Sequence, residues 1–284
     1  MSWTHILVFA DHTREGVARV LTAGHACLQD ARTRLEVCVA RLLPDAAYAY
    51  RAGVAAENYE EIAADLNDET KHAVSGLRHV LNGQADRVEF SALQADASVM
   101  AHLAAARGRT CDLIVLPQPS PQRSRLERTL LKGALMGSGR PCLILPQWAE
   151  PRHLKGRAII AWKSAPEAAR AVRDALPLLR RMETVRIFEA AEADEVTGEG
   201  PEGLARLAAY LTEQGVKVEP PVVTAPPDGV VSTIGEAILD EASAFGADLL
   251  VMGGFGHARF VEIVFGGATQ AVLEDASCAV LMSH

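Results

Sequence analysis

Two stretches of this chain occur twice. Cys111-Asp-Leu-Ile-Val-Leu116 returns as Ala247-Asp-Leu-Leu-Val-Met252, and Arg140-Pro-Cys-Leu-Ile-Leu145 returns as Ser277-Cys-Ala-Val-Leu-Met282. A repeat of about 140 residues is the size of a domain and far too long for a solenoid unit, so the fold has to be one that is built twice.

Between the repeated pieces, short apolar runs alternate with segments of helical period. In the first half, residues 5–10, 35–40, 87–93, 112–116 and 140–145 read as strands. Residues 14–30, 52–81, 97–107 and 124–135 read as helices, the first with an inner stripe of Val17, Val20, Leu21 and Leu28. Residues 146–155 carry two prolines, Trp148 and mixed charge without a period, and read as a linker. The pattern then restarts, with strands at 157–162, 184–189, 216–223 and 248–252 and a last one at the second repeated stretch, and helices at 166–181, 202–214, 234–245 and 268–275. Strand, helix, strand in regular succession predicts a parallel sheet covered on both faces, with ligand crevices at the carboxyl ends of the strands. The expected architecture is α/β: two tandem doubly wound domains, 1–146 and 156–284, each with five parallel strands.

Chemistry concentrates after the run Leu249 to Met252. Gly253 and Gly254 stop the strand, Gly256 follows, and Gly266 and Gly267 open the last helix. A strand, a glycine loop and a helix start present unpaired amides and the positive end of the helix dipole to one place, which suits an oxyanion. The amides of Gly256, His257, Gly267 and Ala268 are the expected donors. His257 and Arg259 are candidates to add charge or merely to face solvent, and Thr269 is a candidate to bond the anion or merely to cap its helix. Ordinary tight turns would use the same glycines. No Gly-Lys-Ser/Thr occurs in the chain, so this is not a Walker loop, and Mg²⁺ has no Walker-type site here.

The spacing Gly253-x-x-Gly256, nine residues, Gly266 resembles the G-x-x-G-x9-G-S/T signature of the nucleotide-binding universal stress proteins, with Asp248 to Gly253 and Cys278 to Met282 resembling their last two strands. The chain departs from the signature at Gly267, where Ser or Thr is expected; the nearest hydroxyl is Thr269. The resemblance implies a tandem universal stress protein of the adenine nucleotide alpha hydrolase-like fold, whose C-terminal domain binds ATP, AMP or another adenine nucleotide. It places Ala161, Trp162 and Lys163 where the family reads adenine and ribose, although no acidic residue stands there, and Glu189 beside the adenine. Trp162 then stacks on a base or packs under its helix. In the first half Asp11 matches the family's acidic position, but Pro117-Gln-Pro-Ser120 replaces the glycine loop, and prolines remove amide donors. That half is expected to have lost nucleotide binding, with Lys132, Gly133, Arg123 and Arg125 left to serve another anion.

A formal net charge of −8 argues against broad binding to nucleic acid or an anionic membrane. Five scattered cysteines without a C-x-x-C pair suit a reducing cytoplasm, and neither a signal sequence nor a membrane-length apolar run is apparent. No general base is identified, so slow ATP hydrolysis is the most that enzymatic readings claim. The expectation is a cytoplasmic stress-response regulator that binds an adenine nucleotide and acts through a protein partner, with pairing to a second copy as a homodimer left open. Against it stand a nucleotide-free scaffold of the same fold and, more weakly, an enzyme of the adenine nucleotide hydrolase-like group.

Overall fold

The computed structural model describes residues 3–28, 30–53, 55–81, 87–120, 124–190, 200–224, 233–254 and 267–284. It divides into two units, one of Trp3–Cys142 with Gln147–Arg152, the other containing Leu143–Pro146 and His153–His284.

The first unit runs β1 (His5–Phe9), α1 (Arg14–Cys27), β2 (Arg34–Leu42), α2 (Ala46–Arg51), α3 (Ala56–Val80), β3 (Val88–Ala95), α4 (Ala97–Gly108), β4 (Leu113–Pro117) and α5 (Ser124–Gly137). Its strands lie in the order β3-β2-β1-β4 and pair in parallel, with Val8 opposite both Val37 and Val115. Ile6 to Val8 and Leu113 to Leu116 are completely buried, as strands covered on both faces must be. The helix expected over 52–81 is α3, which starts at Ala56; a short helix not expected from the sequence, α2, precedes it, and Gly53, at a φ of +76 that α-helix does not allow, separates the two. Most buried residues of α1 are small, Gly16, Ala18, Thr22, Ala23, Gly24, Ala26 and Cys27 beside Val20 and Arg19, whereas Val17, Leu21 and Leu28 are only half-buried. A side chain at Gly16 would collide with the backbone of Asp11, so α1 lies closer to the end of β1 than a leucine stripe permits.

The second unit runs β6 (Arg157–Ala161), α6 (Pro166–Leu179), β7 (Thr184–Ala190), α7 (Gly200–Glu213), β8 (Val222–Thr224), α8 (Ile234–Phe245), β9 (Ala247–Gly253), α9 (Gly267–Asp275) and β10 (Ala279–Ser283). Leu143–Leu145 of β5 (Cys142–Leu145) belong here, beside β10, giving the order β5-β10-β9-β6-β7-β8. The units therefore hold four and six strands where five and five were expected. β8 is three residues long, and only Val218 bridges to Val185 ahead of it. Pro220 and Pro221 interrupt the expected strand at 216–223, because proline has no N–H for a ladder.

Helix α8 has both of its ends specified chemically. Thr233 accepts from the Glu236 amide while the Glu236 carboxylate accepts from the Thr233 amide, a capping box, and Gly246 closes the helix at φ +65. Thr233→Ala is expected to destabilise the second unit by about 1 kcal/mol, read as a shifted midpoint in urea with unchanged slope; no shift would mean that Glu236 alone holds the first turn.

Candidate functional site

In the second unit the sheet reverses direction of growth between β6 and β9. β6 pairs with β7 on one side and β9 on the other, with Ala161 opposite both Phe188 and Met252. One residue further, Trp162, Glu189 and Gly253 form a row at the carboxyl ends of three parallel strands. The Trp162 amide donates to the Phe188 carbonyl at 2.8 Å, so the ladder extends into this row and fixes the tryptophan's backbone. Such a reversal leaves a crevice over the strand ends, where ligands of open α/β sheets bind.

Ala161 and Trp162 are half-buried and Lys163 is exposed at the mouth. Glu189 is half-buried, and burial pushes its carboxyl above the ordinary range. Gly253 has a packing role: a Cβ there would lie 2.7 Å from the Ala168 amide nitrogen and 2.8 Å from the Glu167 carbonyl carbon, in the first turn of α6. The Gly254 amide donates to the Ser283 carbonyl at 2.9 Å and is engaged by the sheet itself. At the start of α9, Gly267 is exposed with open space around its Cβ position. Ala268 packs against Gly235 of α8, where a Cβ would meet its Cα at 3.0 Å, and Thr269 is buried at 6% exposure. Gly256, His257 and Gly266 lie outside the described residues. The structure thus gathers Trp162, Glu189 and Gly253 into one row, and separates the glycines into one that packs, one whose amide is used and one that stands open.

The first unit has a corresponding cleft of about 480 Å³ over β1, β2 and β4, lined by Asp11, Arg19, Arg41, Arg125, Glu127 and Gln147 among others. Its polar groups are built in. Asp11 is buried and accepts from the Thr13 amide at 3.2 Å and from its hydroxyl. Arg19, also buried, donates to the Phe9 carbonyl at 3.2 Å and to Gln147 Oε1 at 3.4 Å. Gln147 Nε2 donates to the Gln118 carbonyl at 2.9 Å and to Glu127 Oε1 at 3.2 Å, and Glu127 Oε2 accepts from the Ser120 amide. Of the residues suggested for an anion here, Arg125 lines the cleft and Arg123 lies outside the described residues. Lys132 faces solvent, and Gly133 is a helix contact whose Cβ would strike the Ala101 backbone of α4. Sequence reasoning missed Glu127, Gln118 and Gln147; the available signal was an acid in the first turn of a helix next to the degenerate loop.

Elsewhere, His5, Glu36 and Cys111 hold their donor atoms within 4.8 Å of one another. The carboxylate is already matched, with Arg107 Nε 2.9 Å from Glu36 and the Ser91 hydroxyl donating to it at 2.7 Å. Burial, helped by the nearby Glu36 charge, pushes the Cys111 thiol up to about 11, which disfavours a thiolate ligand. The group is an ion pair tying α4 to the sheet.

Compared with known proteins, residues 157–284 match the model of the universal stress protein family. The chain carries a universal stress protein domain at those residues. Over nearly its whole length it also has the fold of solved universal stress proteins. A universal stress protein from Archaeoglobus fulgidus DSM 4304 is 15% identical, with TM-score 0.69 over 98% of this chain and 95% of that one. A putative universal stress protein from Pseudomonas aeruginosa UCBPP-PA14 is 17% identical, with TM-score 0.60 over 99% and 93%. A protein of unknown function from Pseudomonas aeruginosa PAO1 is 16% identical, with TM-score 0.55 over 99% and 92%. No curated protein matches the chain. Among the described residues no helix is long and apolar enough to cross a membrane.

Proposed function

We propose that the universal stress protein domain binds an adenine nucleotide, ATP or AMP, in the crevice between β6 and β9, and that occupancy regulates a stress-response partner. The observation that carries this reading is the sheet reversal: Trp162 and Gly253 stand on its two sides, with the family's glycine spacing running on from Gly253. Trp162 supplies a ring for the base, Lys163 a cation, and the first turn of α9 from Gly267 to Thr269 supplies amides to a phosphate. Glu189, half-buried in the same row, offers carboxyl oxygens to the polar edge of the base. Gly256, His257 and Gly266 complete the loop. Binding without turnover is the reading, since no general base is assigned.

The packing of Gly253 and the engaged Gly254 amide favour a second reading, a nucleotide-free interaction module whose glycines serve the fold. Calorimetry of the full chain with ATP, ADP and AMP separates the two. Binding is expected, weakened about ten-fold or more by Trp162→Ala, as loss of one base-stacking contact implies, and abolished by Gly266→Val, with Pro119→Gly without effect. No heat above dilution with any of the three nucleotides overturns nucleotide binding in favour of the module.

A further inference from the structure

The two units can be compared residue by residue through their ladders. The Ala10 amide donates to the Cys38 carbonyl as the Trp162 amide donates to Phe188, so Val8 of β1 corresponds to Ile160 of β6. Val8 lies opposite Val115 and Ile160 opposite Val251. Counting on from these, Ser120 falls at the place of Gly256, the second glycine of the other loop. In the first unit the amide at that place is bonded to the carboxylate of Glu127, which reaches it from the first turn of α5.

Glu127 is only 4% exposed, and its other oxygen accepts from Gln147 at 3.2 Å. Gln147, itself an exposed residue, is bonded in turn to the Gln118 carbonyl and to Arg19, so each oxygen of the buried carboxylate accepts from one donor of the chain, as a bound anion would. The charged groups lining the cleft are Arg19, Arg41 and Arg125 against Asp11, Glu69 and Glu127, which cancel formally. A phosphate arriving at the same amide would meet a desolvated like charge within hydrogen-bonding range.

We propose that Glu127 is a built-in substitute for an anionic ligand: it takes the Ser120 backbone amide and the Gln147 side-chain amide of the N-terminal cleft and restricts that cleft to ligands without a phosphoryl group. This goes beyond nucleotide binding in the other unit and does not depend on it. Removing the carboxylate takes the Glu127 acceptor from the Ser120 amide and one of two acceptors from the Gln147 side-chain amide, and leaves three arginines facing two acids. The cleft should then accept inorganic phosphate.

Trp148 follows Gln147 directly and is one of three tryptophans, so a full-length Trp3→Phe, Trp162→Phe chain carries one fluorophore beside the cleft. Inorganic phosphate is titrated into this parent and into its Glu127→Ala and Glu127→Gln derivatives, against sodium chloride at matched ionic strength. The parent should give no saturable phosphate response. Glu127→Ala should give one, at least about ten-fold tighter than any parent signal, the scale of one charge-assisted contact, and isosteric Glu127→Gln should respond in the same direction but more weakly. A saturable response in the parent overturns the proposal. So does a flat response in Glu127→Ala that melts cooperatively, or in Glu127→Gln should the alanine variant not fold.

Discussion

Gly253→Val is expected to lower the stability of the C-terminal unit by about 3 kcal/mol, the scale of overpacking against parts that cannot move. The added carbons would point at backbone, the Ala168 nitrogen and Glu167 carbonyl carbon of α6, and at the Glu167 Cγ, all within 2.8 Å of the new Cβ. Gly253 is paired with Ser283 in β10, so the strand cannot slide away without breaking its ladder. The requirement is for space: Gly253 is not among the positive-φ glycines. Gly267→Ala should behave oppositely. Nothing lies within 4 Å of its Cβ position, and it opens a helix, where alanine is favoured by up to about 1 kcal/mol. Urea melts of the two variants test this directly, and a Gly253→Val midpoint equal to that of the parent would refute the packing argument. The contrast also decides how glycine substitutions in this loop are interpreted. Lost nucleotide binding in Gly253→Val accompanies lost structure, whereas lost binding in a fully stable Gly267→Ala would implicate the ligand site itself.

The parts of the fold legible in the sequence are those whose signals are local. Thr233, Glu236 and Gly246 bracket α8, and the structure places it at Ile234–Phe245 as the spacing predicts. Pro220 and Pro221 were equally local, and the strand expected across them fails for the reason prolines fail in ladders. The stripe of α1 was misread because a helix lying close over a sheet wants small residues on its inner face, so Gly16 and Gly24 are informative where large apolar residues drew attention. The position of Leu143–Leu145 beside β10 depends on which edge is available, which no local pattern encodes. The role of Glu127 escaped for a related reason: a helix start at 124 is legible, but that its first-turn carboxylate turns back onto the Ser120 amide is a contact no local pattern encodes. For the C-terminal crevice, glycine spacing drew attention to Gly253 and the family resemblance to Trp162, and the registers put these two residues in one row.

The repeated aspartate accepts at the entry to a central strand in both units, and its removal should be costly once and mild once. Asp112 accepts from the Thr4 amide at 2.7 Å, the Thr4 hydroxyl at 2.9 Å and the His5 amide at 3.0 Å, closing the entry to β1. Asp248 stands at the same step of the second unit and accepts from the Gly156 amide at 2.9 Å ahead of β6. Asp112→Ala leaves two strand-entry amides without their acceptor and should cost about 2 kcal/mol, and Asp248→Ala about 1 kcal/mol. The acid dependence carries a signature. Burial raises the Asp112 carboxyl, but the Thr4 and His5 amides, the Thr4 hydroxyl and the Arg140 charge outweigh it and hold the group below its ordinary value. A carboxyl depressed in the folded state stabilises fully above its unfolded pKa, near 3.9, and loses that contribution as pH falls through the lower folded value. The gap between parent and Asp112→Ala should therefore stay constant from about pH 7 to about pH 5 and narrow below about pH 4. Asp112→Asn keeps the shape without the charge; it should reproduce part of the loss, and its gap to the parent should narrow over the same range, because the pH dependence comes from the parent's carboxyl. Denaturation across that range measures all three chains, and a gap that widens on acidification would show that Asp112 does not act as a carboxylate acceptor for the first strand.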